Sequence, residues 1–151
     1  MFKFFTKPSA FRAVSNEDQQ VEANEETKVF FYDKEYDLNH EYRPVRSVYS
    51  PKKDGIYLIT GTISFEPESF DQNYRARVGI NINETPYEAG DNDFWGTGVE
   101  IANAVQVAAI LKLAAGDEVE ILMQSSVPGT IKANLPSNNT TNFSAARLIE
   151  L

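Results

Sequence analysis

The chain has 151 residues, 42% of them apolar and 12% aromatic, with no cysteine and a formal net charge of −8 at pH 7. A single domain of this size buries most of the surface its unfolded chain exposes, and the missing cysteines exclude a disulfide framework, thiolate metal sites and a cysteine nucleophile. The acidic balance argues against general binding of phosphate backbones, which needs dense lysine and arginine, so no nucleic-acid partner is expected.

Residues 1–9 read as an N-terminal arm ahead of one domain over 10–151. Phe2, Phe4 and Phe5 in that arm are available to dock on a neighbour or on the domain itself. Its apolar stretch is too short for the core of a classical signal peptide, and no run approaches the roughly 20 apolar residues of a transmembrane helix. Asn16–Glu26 is polar and acidic and reads as a loop. Lys28–Tyr32, "KVFFY", has the β-branched and aromatic composition of a strand. Asp33–Tyr42 suggests an edge hairpin or a long connection.

Asp54-Gly55 is a turn signal ahead of a strong strand, Ile56–Phe65. Tyr57, Ile59, Gly61, Ile63 and Phe65 share one apolar face there. Ile56, Leu58, Thr60, Thr62 and Ser64 form a second face that becomes polar along its length, the pattern of a strand with one side on a core. Tyr74–Ile82 alternates more cleanly, with Tyr74, Ala76, Val78, Ile80 and Ile82 opposed by Arg75, Arg77, Gly79 and Asn81. Ile101–Ala115 carries the alanines and leucines of a helix yet also alternates. The Gly116-Asp117 turn and the alternation of Val119, Ile121 and Met123 after it favour a hairpin. Pro128-Gly129 and Leu135–Asn142 mark two further loops, and Phe143–Leu151 reads as a closing strand. Many short strands between turns, with no convincing amphipathic helix, predict an all-β sandwich or barrel.

Four motifs in order then carry a resemblance. "AFRAV" at Ala10–Val14 is similar to the opening strand of the globular head domain of complement component 1q, within the tumour-necrosis-factor-like superfamily. "VYSPKKDGIYLIT" at Val48–Thr60 resembles its second motif, with Tyr49 where phenylalanine is usual. "AAILKLAAGDEVEI" at Ala108–Ile121 resembles its hairpin, and "NFSAARLIEL" at Asn142–Leu151 its last strand, with Ala145-Ala146 in place of the usual glycine. In style the chain is closest to bacterial and bacteriophage members. The resemblance implies a jelly-roll of about ten antiparallel strands, assembled as a homotrimer in which neighbouring copies help to bury Ile56–Phe65 and Ile101–Ala115. It makes Phe11, Gly55, Tyr57, Leu113, Gly116, Asp117 and Phe143 the core and motif positions.

No catalytic constellation stands out. His40, the single histidine, lies in a polar segment with no nucleophile-and-acid arrangement near it in sequence, and nucleophile elbows, zincin pairs and phosphate loops are missing. The best site candidate is "NETPYEAGDNDFWG", Asn83–Gly96, read as a loop. Tyr87, Phe94 and Trp95, the single tryptophan, are its contact candidates, because aromatic side chains bury large area at interfaces, while Phe94 and Trp95 also suit a cap on the core at one end of the sandwich. Glu88, Asp91 and Asp93 offer the hard oxygens that calcium takes. No cofactor is required, and calcium is the candidate ion.

The expectation is therefore a non-enzymatic homotrimer that recognises a surface protein or a glycan receptor on a cell, spore or virion surface. A structural coat, capsid-decoration or tail component docked by the arm is the second reading. An enzyme acting on a saccharide through two facing carboxylates is the third.

Overall fold

A computed structural model describes residues 7–133 and 141–151. The phenylalanines of the arm, Phe2, Phe4 and Phe5, and most of the Leu135–Asn142 loop lie outside the described residues. Those described form thirteen strands and no helix. They are β1 (Ala10–Val14), β2 (Gln19–Val21), β3 (Thr27–Lys28), β4 (Asp33–Asp37), β5 (Tyr42–Arg43), β6 (Val48–Tyr49) and β7 (Gly55–Pro67). After them come β8 (Tyr74–Ile82), β9 (Thr85–Trp95), β10 (Asn103–Leu113), β11 (Val119–Ser125), β12 (Gly129–Ile131) and β13 (Asn142–Glu150). The expected jelly-roll of about ten strands is thus present, with short flanking strands such as β3, β5 and β6 added to its edges.

Two antiparallel sheets face each other. In the first, β7 is central: β10 pairs along one side, β13 and β12 share the other, β1 and β4 continue beyond β13, and β2 flanks β12. The second runs β5-β6-β11-β8-β9, with β3 also on β11. Period-two alternation explains the layering, because each strand turns one row of side chains inward. Tyr57, Ile59, Ile63 and Phe65 of β7, with Val105, Val107, Leu111 and Leu113 of β10, meet Tyr74, Ala76, Val78 and Ile80 of β8 and Val119, Ile121 and Met123 of β11. At one end an aromatic stack seals the core. Phe11 lies between Tyr42 and Tyr49 at centroid distances of 4.5 and 4.8 Å, and Phe143 meets it edge-on at 4.9 Å.

The Ile101–Ala115 stretch is a strand over Asn103–Leu113, in full register with β7 from Asn103↔Phe65 to Leu113↔Gly55. Pairing overrides the helix propensity of its alanines. Three expectations need correction. Asn83–Gly96 is no loop: most of it is β9. Its proline, glycine and acids, which argued against a strand, belong on an edge strand, where charge and proline are tolerated. Asn16–Glu26 contains β2 and a parallel bridge from Ala23 to Ser125. "KVFFY" is extended only at its start. After the Val29 amide donates to Ile121 O the chain leaves the ladder, and the Phe31 amide donates instead to Ser47 Oγ at 2.8 Å.

Candidate functional site

Strand β9 carries the aromatic candidates, and it places them in different surroundings, with two register shifts between Trp95 and Tyr87. Trp95 pairs with Tyr74 across β8, stacks on it at 5.4 Å and packs against the core. Asn103 Nδ2 donates to the Tyr74 hydroxyl at 2.7 Å, joining this corner to β10. Burial raises the Tyr74 phenol above its ordinary range, partly offset by that hydrogen bond. Trp95 is therefore a core-closing residue. Phe94 and Tyr87 are the exposed pair, 74% and 58% accessible.

The acids of β9 do not converge. Glu88 lies opposite Ile80 and Asp93 opposite Ala76, at separate register positions. Asp91 sits between them at a register shift, and its Oδ2 accepts the Gln106 amide of β10 at 2.9 Å. Among the described residues no group of three or more His, Asp or Glu side chains is placed to hold a metal ion. Asp91 instead serves a seam between the sheets. Next to it, a Cβ on Gly90 would fall 2.4 Å from Gln106 O and 2.5 Å from the Val107 Cβ, so only glycine lets β9 come this close to β10. The seam residues Gly90 and Gln106 were not singled out from sequence. A glycine inside a strand-length run was the available signal for close backbone approach.

The motif residues are structural. Phe11, Tyr57 and Phe143 are fully buried, and Leu113 almost so. Gly55 is buried where β7 begins. Gly116 turns with φ +89°, a conformation suited to glycine. Asp117 Oδ2 accepts the Ala114 amide at 2.9 Å, and its Oδ1 accepts Asn83 Nδ2 at 3.0 Å. Beside this turn a buried polar chain ties the end of the sandwich. Ser9 Oγ donates to Glu41 Oε1 at 2.6 Å, so the Tyr49 hydroxyl, 2.7 Å away, donates to Ser9, and the Lys52 amide reaches Glu41 Oε2 at 2.7 Å. Burial drives the Tyr49 and Tyr42 phenols well above the ordinary tyrosine range. His40 is exposed beside this corner, in the left-handed region at φ 54°.

An apolar surface lies elsewhere, on the outer face of the first sheet. Register places Ala10, Ala146, Leu58 and Ile110 in one row and Ser144, Thr60 and Ala108 in the next. Ile149 pairs with Ile56 beyond them. Leu58 is 37% exposed, Ile110 63% and Ile149 58%, although the same strands turn fully buried side chains inward. In the single chain, then, β10 is buried on one face only. Its second face, with Ala104, Ala108 and Ile110 beside Gln106 and Lys112, is open to solvent.

No protein-family model matches the sequence, and no curated protein sequence matches it. Solved structures do match the fold. The globular domain of zebrafish complement 1qA superimposes with a TM-score of 0.64 at 19% identity, covering 95% of this chain and 99% of that one. Eiger TNF from S. frugiperda gives 0.67 at 11% identity, covering 97% and 96%. Murine APRIL gives 0.63 at 15% identity, covering 94% and 100%. The chain has the jelly-roll fold shared by these complement-1q-like and tumour-necrosis-factor-like structures over nearly its whole length.

Proposed function

We propose that this chain is a non-enzymatic recognition module that works as a homotrimer, on the surface of a bacterium, a spore or a phage particle. The observation that carries the assembly is the open apolar row through Ala146, Leu58 and Ile110. Exposed patches of this kind mark association surfaces. Copies that each carry a net charge of −8 repel one another, so they should meet through a face poor in charge. This one has Arg12 and Lys112 at its borders and uncharged residues between them. Contact among three copies would give β10 the second buried face its sequence anticipates, and threefold closure leaves no surface open to further addition.

Light scattering on a sizing column tests the reading. A mass near three times 17.0 kDa, about 51 kDa, supports it, and a stable 17 kDa monomer overturns it. Running the same column with calcium and with a chelator tests whether Glu88, Asp91 and Asp93 hold an ion between copies. Loss of the trimer on chelation would establish that role. Removing residues 1–6 separates recognition from the coat-component reading: lost incorporation into a larger assembly with intact ligand binding would favour the latter.

A further inference from the structure

We propose that the outer face of the second sheet carries a binding cleft for a neutral saccharide, centred on Gly79 and Asn81. The proposal deepens the recognition reading above but does not need the trimer, because the cleft lies on the opposite side of the sandwich from the apolar row.

The cleft follows from the side chains that register sets in line. Ala89, Gly79 and Leu122 are neighbours across β9, β8 and β11, so the middle of that row has no side chain and its β9 side has only a methyl. The gap opens a cavity of about 350 Å³, within the range of small-molecule sites, roughly 300–1,000 Å³. One wall is fixed in place. Arg77 donates to Gln124 Oε1, and Gln124 Nε2 donates in turn to Asn24 O at 2.7 Å, so the planar guanidinium and amide are held before any ligand arrives. On the β9 side stands Tyr87, whose ring is largely exposed.

Asn81 points to a ligand. It is 8% exposed, it lines the cavity, and among the described residues its side-chain amide makes no hydrogen bond to the rest of the chain. Buried amides are normally paired, because an unmet donor and acceptor cost free energy. Among the described residues, the atoms sealed from solvent without a partner belong to Arg75 and Arg147, so the Asn81 amide is not sealed off, and Asn81 is one of the residues that line the cavity.

The chemistry of the occupant follows by matching. An amide presents one acceptor and one two-hydrogen donor side by side, and neighbouring sugar hydroxyls answer both. The apolar floor of Leu122 and Ala89 and the exposed Tyr87 ring suit the C–H face of a pyranose. A hydrocarbon would leave Asn81 unpaired. Glu26 and Glu88 also line the cavity and disfavour an anion, while a cationic ammonium brings donors alone and would leave the Asn81 Nδ2 donor unmet. A neutral polyhydroxylated ring meets every one of these conditions.

The test titrates the full-length, isotope-labelled chain with glucose, galactose, mannose and N-acetylglucosamine in turn, following backbone amide resonances. At least one sugar should shift the amides of Gly79, Asn81 and Leu122. Asn81→Leu should weaken that binding about tenfold or more while the melting temperature holds or rises, since an unmet amide gives way to an apolar side chain of similar size. Tyr87→Ala, at an exposed position, should weaken it about threefold to tenfold without affecting the fold. The proposal is overturned if no sugar shifts these amides, if Asn81→Leu binds as well as the native chain, or if inorganic phosphate or a lysine peptide shifts them instead. A trimer that ignores all four sugars sinks this proposal alone. A monomer that binds one of them sinks only the assembly.

Discussion

On the outer face of the first sheet, Ala146, Leu58 and Ile110 stand in a row with no charge among them. On the outer face of the second, the equivalent rows set Arg77 beside Gln124 and Asn81 beside Glu120. Both faces are made by the same alternation, and both back onto one core. The inward rows are constrained by packing and read alike in β7, β8, β10 and β11. The outward rows are released from that constraint and differ in chemistry. One is smooth and apolar, suited to another protein surface. The other is indented and polar, suited to a small ligand. If the proposed trimer and cleft hold, the difference between assembling and recognising is written in the residues that the fold does not need.

The contrast breaks most completely if the first face is given the polarity of the second. Leu58→Asp with Ile110→Asp should convert a species of about 51 kDa into one of 17 kDa by light scattering, because each substitution removes about 1.5–3 kcal/mol of apolar burial per subunit and adds a charge to desolvate. Arg77→Ser on the opposite face should leave the mass unchanged. A trimer that survives the double substitution would place the contact elsewhere.

The shared core answers to alkali. Burial raises the Tyr42 and Tyr49 phenols above the ordinary value of 10.0, so the folded chain holds these protons more tightly than the unfolded chain does. Their contribution is whole below pH 10 and falls as the pH rises toward the folded values. Circular dichroism should show unfolding that begins above about pH 10, and Tyr42→Phe, which removes one of the two phenols, should move the onset upward.

A smaller effect is expected at the seam that joins the two faces along one side. Gly90→Ala should cost about 1–3 kcal/mol in urea unfolding, since the new methyl must displace the Gln106 carbonyl or the Val107 side chain. Smallest of all is a change remote from both faces. The Ala133 amide, aided by Lys132 at 3.1 Å, holds the Asp18 carboxyl below its ordinary 3.8. That contribution is present above pH 3.8 and is lost as the pH falls through the folded value. The site is exposed and solvent-screened, so Asp18→Asn should cost under about 1 kcal/mol, with mass and sugar binding unchanged.

The fold was legible where one face of a strand is buried and the other is not. Tyr57 to Phe65 and Tyr74 to Ile80 could be assigned to the core by alternation, and the structure buries these rows. The last strand was equally clear. Edge strands were not, because β9 is paired along β8 alone and tolerates the proline, glycine and acids that otherwise mark a loop. Candidate sites were harder still. Tyr87 and Phe94 could be flagged by residue type, but nothing in their spacing separated them from the inward Trp95. Gly79 and Asn81 were seen only as the polar side of a strand. A cleft made by a missing side chain, and an amide left unpaired beside it, depend on neighbours in β9 and β11 that are distant in sequence.

The first and last strands of the sandwich, β1 and β13, are antiparallel neighbours. The Arg147 amide bonds to Ser9 O, and the Leu151 amide bonds to Asp54 O, so the start of β1 and the finish of β13 emerge at the same pole of the sandwich. Tension applied between the two ends would not shear β1 along β13. It would peel them apart from Ala10 and Ala146 toward Val14 and Asn142, loading one hydrogen bond after another. Held by both ends, the domain is mechanically soft.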